Sequence, residues 1–458
     1  MNPAMSWTIF CASLVLSGIL IFCRSDRRNT VLAVASALLA TWLVGKYTLI
    51  MLLCLEGLFR LLKWKPPQSR STRFGGWTAI GIIIGLLPFI ALLAGEAASL
   101  SLGSAAIFAF FSLQLVGGFL HLWFSDKPSD MTRGEWYTFG LFFPTLITGP
   151  IIRWPALHEQ MRTRKPFHIN DGIESLRLLA RGLFKRLVFA APFYMIANEA
   201  VSLNALTNLP LLLVFAAGLR FAIWADISGH TDWARGIALL FGFKLPENFN
   251  LPFQTFSVLE FWRRWHVTLT SWIQDYVYYP LVSTAPLRRI PRSTAIALAV
   301  VISFSFLGLW HGFRTDFLVM GLLKGFGVLL SLYLLTKWPR LYLVLSPLLL
   351  TGFVILPTAL LKIDWTLFSN SLFTATEPWS ATLIQLGNIT AFLTRYGVDK
   401  NPLGWIAALA VAWQCYERLE RHSRRLPALI EILLLLIGIL ALATPGNDTR
   451  FLYAPIGQ

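Results

Sequence analysis

Apolar runs of bilayer length constrain this chain more than any other feature. A helix needs about 20 such residues to cross the hydrocarbon core. Runs that meet or approach this recur at Trp7–Cys23, Phe74–Ala94, Ser101–Phe124, Leu176–Ala197, Leu209–Ala225, Ser293–His311, Phe317–Thr336, Leu341–Leu361, Leu403–Tyr416 and Ala428–Ala443. In lipid every backbone polar group must be satisfied within the protein, which makes these runs helices. Hydrophobic residues are 56% of the sequence and charged residues 14%, against about 25% charged in soluble proteins. Helices with so few charges are apolar all round and need a lipid neighbour. The stretch Thr30–Leu62 is too long for one straight span and is interrupted by Gly45-Lys46, so it reads as a hairpin of two short helices. No basic residue precedes Trp7–Cys23 and no small-residue cleavage site follows it, which predicts an uncleaved first helix with its N-terminus outside. The fold class is all-α: a polytopic membrane protein with about 12 transmembrane helices and both termini outside.

Basic residues exceed acidic ones by 39 to 23, a net charge of +16. They gather between the apolar runs, at Arg24/Arg27/Arg28, Lys63/Lys65/Arg70/Arg73, Arg162/Arg164/Lys165, Arg288/Arg289/Arg292 and Arg418/Arg421/Arg424/Arg425. That is the pattern of cytoplasmic loops under the positive-inside rule, and it sets aside nucleic acid as a partner in favour of membrane lipid. Cys11, Cys23, Cys54 and Cys415 are scattered, with neither metal-ligand spacing nor a disulfide framework. No repeat or soluble domain interrupts the pattern, so residues 1–458 read as a single membrane domain. Three segments are not simple spans. Trp136–Ile152 is apolar but carries Pro144 and Thr148-Gly149-Pro150, which predicts a re-entrant or broken helix lining a cavity, or else a proline-kinked span. Asp226–Phe256 is polar and predicts a cytoplasmic platform, and Ile363–Asn401 an amphipathic segment along the outer face.

Of seven histidines, two stand in apolar surroundings. His266 lies in Glu260-Phe261-Trp262-Arg263-Arg264-Trp265-His266-Val267-Thr268-Leu269. On one continuous helix, Trp262, Trp265, His266, Leu269 and Ile273 share a face, while Glu260, Arg263 and Arg264 take the other. Glu260 and Arg264 are then paired neighbours. A histidine turned into an aromatic wall is desolvated and neutral, fit for a base or hydrogen-bond partner; the competing reading is a core histidine bonded to a backbone carbonyl. His311 ends an uncharged run within Leu309-Trp310-His311-Gly312. An ionisable group there marks a functional site, against the alternative of an interfacial histidine at the water boundary. Gly308 and Gly312 beside it leave room for a backbone or a ligand. A neutral imidazole near a thioester carbonyl can serve as general base for acyl transfer.

Further motifs carry a family resemblance. Glu247-Asn248-Phe249-Asn250-Leu251-Pro252-Phe253, then the His266 segment, then Asp275-Tyr276-Val277-Tyr278-Tyr279-Pro280-Leu281 and Leu309-Trp310-His311-Gly312 resemble, in order and spacing, the signature of membrane-bound O-acyltransferases. The likeness is to the bacterial branch that holds the membrane subunits of alginate O-acetylation and teichoic-acid D-alanylation. Phe143–Arg153 and Asp226–Asp232 resemble upstream parts of the same branch, so the motif-bearing core covers about residues 140–315. Where alginate-type proteins continue with a Gly-Gly-Asn-Arg-like loop, this chain reads Val282-Ser283-Thr284-Ala285-Pro286, a departure from alginate specificity and not from the family.

The resemblance implies a tunnel between a cytoplasmic and an outer cavity, with His311 as catalytic histidine and His266 as second essential histidine positioned by Trp262 and Trp265. Acetyl-coenzyme A is the implied donor substrate, with no permanently bound cofactor and no metal. Arg263 and Arg264 are candidates for its phosphates, and Trp310, Asn248, Asn250 and Asp275 are further candidate substrate- or donor-binding residues. A bacterial inner-membrane location and an extracytoplasmic acetyltransferase partner in polysaccharide O-acetylation are implied too. The alternatives are D-alanyl transfer from a carrier protein to teichoic acid and, in another class, proton-coupled transport.

Overall fold

The computed structural model describes residues 28–64, 72–93, 102–125, 130–146, 149–163, 168–190, 193–194, 197, 209–373, 411 and 418. Among them there are helices, turns and irregular segments but no strand. Helices long and apolar enough to cross a membrane run over Asn29–Trp64, Leu212–Leu240, Arg292–Trp310, Thr315–Lys337 and Pro339–Leu361, with shorter apolar helices at Gly75–Ile90 and Ile107–Trp123. The all-helical membrane architecture is therefore as expected. The figure of about 12 crossings draws also on Trp7–Cys23, Leu403–Tyr416 and Ala428–Ala443, which lie outside the described residues apart from Val411. Contacts group the chain into two compact units, Met1–Leu179 with His230–Glu247, and Ala180–Gly229 with Asn248–Gln458.

In the first unit α1 (Arg28–Val44) and α2 (Thr48–Trp64) meet at a single tight turn, Gly45–Tyr47, with Gly45 at φ 58°. The expected hairpin does not form. Three residues of 3₁₀ turn do not reverse the chain, and each half packs on other helices: α1 mainly on α5 (Arg133–Leu141), α2 mainly on α3 (Thr72–Leu93). Polar contacts fix both, Thr138 donating to the Asn29 carbonyl at 2.7 Å and Trp136 Nε1 to the Leu55 carbonyl at 2.9 Å. Next to α3 comes α4 (Leu102–Trp123), and α5 opens on a capping box between Thr132 and Glu135.

The broken helix expected at Trp136–Ile152 is present. α5 stops at Phe142, α6 (Phe143–Leu146) makes one turn, and residues 149–153 are irregular. The break is enclosed by protein, since Phe139, Phe142, Phe143, Leu146, Ile151 and Ile152 are all buried. Gln114 of α4 donates to the Phe139 carbonyl, and Thr145 bonds the Gln114 side chain at 3.3 Å. Polar side chains thus take over backbone groups that the break releases. Helices α7 (Trp154–Thr163) and α8 (Ile169–Phe184) follow.

Helix α9 (Leu209–Leu240) corrects the sequence reading, which ended it at Ala225 and made Asp226–Phe256 a platform. Its polar residues are satisfied in place: Asp226 pairs with Arg186 at 3.1 Å and Asp232 with Arg235 at 3.3 Å. Gly236 does not break the helix; a Cβ there would press on Leu179 and the Ser175 carbonyl of α8. Irregular chain begins only at Phe241.

The second unit holds α10 (Val258–Arg264), α11 (Val267–Ile273), a π turn at Gln274–Tyr278, short turns through Arg288, then α12 (Arg292–Trp310), α13 (Thr315–Lys337), α14 (Pro339–Leu350) and α15 (Trp365–Phe373). Between α14 and α15 the chain tightens from a π turn at Thr351–Ile355 to a 3₁₀ stretch at Leu356–Leu361. Helices α12 and α13 approach backbone to backbone at Gly308 and Gly321, where a Cβ on either would collide with the Phe317 or Phe304 carbonyl. Of the expected amphipathic segment Ile363–Asn401, only the part through Phe373 lies within the described residues.

Candidate active site

The His266 segment is not one helix. α10 ends at Arg264, and His266 adopts a left-handed conformation (φ 45°, ψ 51°) as N-cap of α11. Such a backbone is uncommon for a residue with a side chain and persists only where its surroundings impose it. Here the imposing element is the Asn248–Leu251 loop. Asn250 donates its N–H to the Arg264 carbonyl and Val267 donates to the Asn248 carbonyl, both at 2.8 Å. Asn248 Oδ1 accepts from the Thr268 N–H at 3.2 Å and the Thr268 hydroxyl at 2.9 Å, which caps the first turn of α11. The Asn-Phe-Asn motif thus builds the kink that aims His266. Leu251, at φ 50°, is left-handed as well.

The expected sidedness survives the break. Trp262, Trp265, His266, Leu269 and Ile273 are buried, whereas Arg263 is exposed and Glu260 and Arg264 are half-exposed. Glu260 accepts from Arg264 at 2.8 Å and from Arg263 at 3.5 Å, so these cations are already engaged with a carboxylate. Trp265 packs edge-on to Phe249 at 5.1 Å and stacks on Phe261 at 5.3 Å. Asn248 is buried as a scaffold residue; Asn250 and Asp275 are exposed.

His311 follows the last residue of α12, its N–H donating to the Gly308 carbonyl at 3.0 Å. Its ring lies against Trp310 at 5.2 Å and Phe317 at 6.2 Å. The room that Gly308 leaves is filled by the backbone of α13. Burial takes the His266 imidazole down to about 4. Burial, then the charges of Lys324, His266 and Arg220, take His311 down to about 3. Both rings are neutral near pH 7, as a proton acceptor requires. The His311 side chain is nevertheless exposed at the surface of the fold.

Two residues here escaped the sequence reading. Arg220, within α9, is 3% exposed, and Lys324, within α13, is 4% exposed. The guanidinium lies 3.9 Å from the Trp265 ring centre, 4.9 Å from Phe261 and 6.0 Å from Trp262. Its Nη1 donates to Thr358 Oγ1 at 3.1 Å, while among the described residues Nε and Nη2 have no hydrogen-bond partner. Trp262 meets Phe304 of α12 at 5.2 Å, and Phe304 packs on Gly325, the neighbour of Lys324. The signal was available, because a lone cation inside an apolar span is costly and marks function. Counting each run only as apolar concealed it.

A buried histidine kinked into place, with a second histidine at the end of α12 and buried basic side chains nearby, is a site for chemistry on a polar group inside a membrane-sized helical protein. Residues 128–343 match the sequence profile of the membrane-bound O-acyltransferase family. Over this segment, a little under half of the chain, the protein is similar to that family, and its long apolar helices make it a multi-pass membrane protein. It is similar to the peptidoglycan O-acetyltransferase of Helicobacter pylori, 32% identical over 42% of this chain and 36% of that protein. It is also similar to the probable alginate O-acetylase of Pseudomonas fluorescens, 28% identical over 65% of this chain and 59% of that one. The teichoic acid D-alanyltransferase of Bacillus subtilis is 31% identical over 44% of this chain and 52% of its own. These matches span between about a third and three-fifths of the relatives' lengths.

Proposed function

We propose that this protein is a bacterial inner-membrane O-acyltransferase that takes an acetyl group from cytoplasmic acetyl-coenzyme A and passes it across the membrane for O-acetylation of an extracellular polysaccharide. The observation that carries this reading is the placement of His266, buried and held in a left-handed kink, and of His311, at the end of α12, inside the family-matching segment. His311 acts as base on the incoming hydroxyl, and His266, fixed by the Asn248 loop, is the second polar group of the site. Trp262, Trp265 and Trp310 give the apolar lining that a pantetheine arm needs. Arg263 and Arg264 offer charge toward coenzyme A phosphates in competition with Glu260. The hydroxyl that accepts the acetyl group belongs to an extracytoplasmic acetyltransferase or to the polysaccharide itself, and the names of the acetylating relatives support that class of acceptor.

A specific observation keeps a second reading in view. Ile169, Ile173 and Leu176 of α8 are exposed at 67%, 53% and 60% and form one helical stripe. Such a face suits an acyl-carrier protein, and a teichoic acid D-alanyltransferase is among the relatives. The readings part on donor. The purified full-length protein is expected to release or transfer label from radiolabelled acetyl-coenzyme A with no carrier added, with donor binding that weakens as salt rises. Turnover of a carrier-borne D-alanyl thioester, with none of acetyl-coenzyme A, would replace the proposal with the second reading.

A further inference from the structure

The second unit contains an electrostatic arrangement that two histidines do not explain. Arg220 and Lys324 are both buried, and among the described residues neither is paired with a carboxylate. Both lie close enough to His311, and Arg220 close enough to Lys324, to interact with it electrostatically. Burial without a counter-ion disfavours the charged forms of a guanidinium and an amine, and a negative group that comes to them favours those forms. Arg220 is oriented for one. Its flat face is held on Trp265 and its Nη1 on Thr358, whose own hydroxyl donates to the Val354 carbonyl at 2.9 Å. The edge formed by Nε and Nη2 is buried with no hydrogen-bond partner among the described residues. Because Trp265 directly precedes His266, the same stack ties the guanidinium to the histidine kink. Lys324 lies on α13 beside Gly325, whose contact with Phe304 joins it to the Trp262 side of the same wall.

We infer that Arg220 and Lys324 form the seat for the acyl carbonyl oxygen, stabilising the negative charge it acquires during transfer, and that they thereby select a neutral acyl group. This rests on the acyl-transfer reading above and deepens it. The acceptor hydroxyl oxygen bonds to the thioester carbonyl carbon, and its proton passes to the neutral ring of His311. The carbonyl π pair moves onto oxygen, where the two cations meet it. When the pair returns, the carbon–sulfur bond breaks and the thiolate takes the proton from His311. Donors aimed at a developing oxyanion in a water-poor site give large rate effects. The same two charges repel the ammonium of an aminoacyl thioester, which acetyl does not carry.

The test uses the full-length protein in detergent or vesicles. Lys324→Met removes a buried unpaired polar group, so it is expected to raise the melting temperature while lowering kcat for acyl transfer about 100-fold, with donor KM little changed. Arg220→Gln is expected to lower kcat comparably, and Arg220→Lys to restore part of it. In Lys324→Met the preference for an acetyl over a D-alanyl pantetheine thioester should narrow. Wild-type kcat in folded Lys324→Met or Arg220→Gln would overturn the seat, as would a loss confined to KM or to melting temperature. Donor identity is judged separately by the wild type. If it turns over only a carrier-borne D-alanyl thioester, the donor reading and the selection of a neutral acyl both fail, and the variants' kcat with that donor still decides the oxyanion role. If the wild type turns over neither thioester, acyl transfer fails. Saturable quenching of tryptophan fluorescence by iodide, lost in Arg220→Gln, would then preserve an anion seat, and its absence would end it.

Discussion

At the scale of single residues, burial decides chemistry here. Against an ordinary imidazole value of 6.5, His266 is held to about 4 and His311 to about 3. A base fails when it is protonated, so depressing its pKa moves the acid limb of activity downward. The kcat/KM for acyl transfer is therefore expected to stay level from pH 8 to about pH 5, and an acid limb centred at 6.5 would show these rings to be solvated. Stability carries the same sign. Between 6.5 and about 4 the unfolded chain takes up protons that the native rings refuse, so stability falls as pH drops through that window. Both histidines were legible from sequence because each stood alone among apolar neighbours. Asn248 was legible only as part of a motif; its work, capping α11 and pinning the kink, is long-range and has no sequence period. Arg220 and Lys324 were missed because hydropathy averaged over a span hides one charge in twenty apolar residues.

At the scale of elements, the apolar runs foretold helices well and their ends poorly. α12 and α13 lie where the runs Ser293–His311 and Phe317–Thr336 place them, within two residues. α9 outran its expected end because polarity was read as a loop, although Asp226 and Asp232 had basic partners waiting at Arg186 and Arg235. The opposite error occurred at Glu260–Ile273, where helical periodicity matched the burial but the backbone breaks at His266. Periodicity reports which side is buried; it is blind to a kink that returns the same residues to the same wall. Gly308 and Gly321 explain how α12 and α13 come close enough to set His311 beside Phe317. Their role was not separable in sequence from room for a ligand.

At the scale of the whole molecule, the basic clusters make a claim about sidedness. Cysteine-accessibility labelling of single-cysteine variants is expected to place Ser69, Arg289 and Ser423 on the cytoplasmic side, and Ser99 and Asn204 outside. Finding Ser99 and Arg289 on the same side would overturn the order of crossings between them. The central claim is that the protein transfers an acyl group with His311 as the base. It is tested most directly by comparing wild type and His311→Ala for label transferred from the donor that the wild type turns over. The account predicts loss of about 100-fold or more in kcat, with membrane insertion and melting temperature near wild type. Undiminished transfer by a well-inserted His311→Ala protein would contradict it.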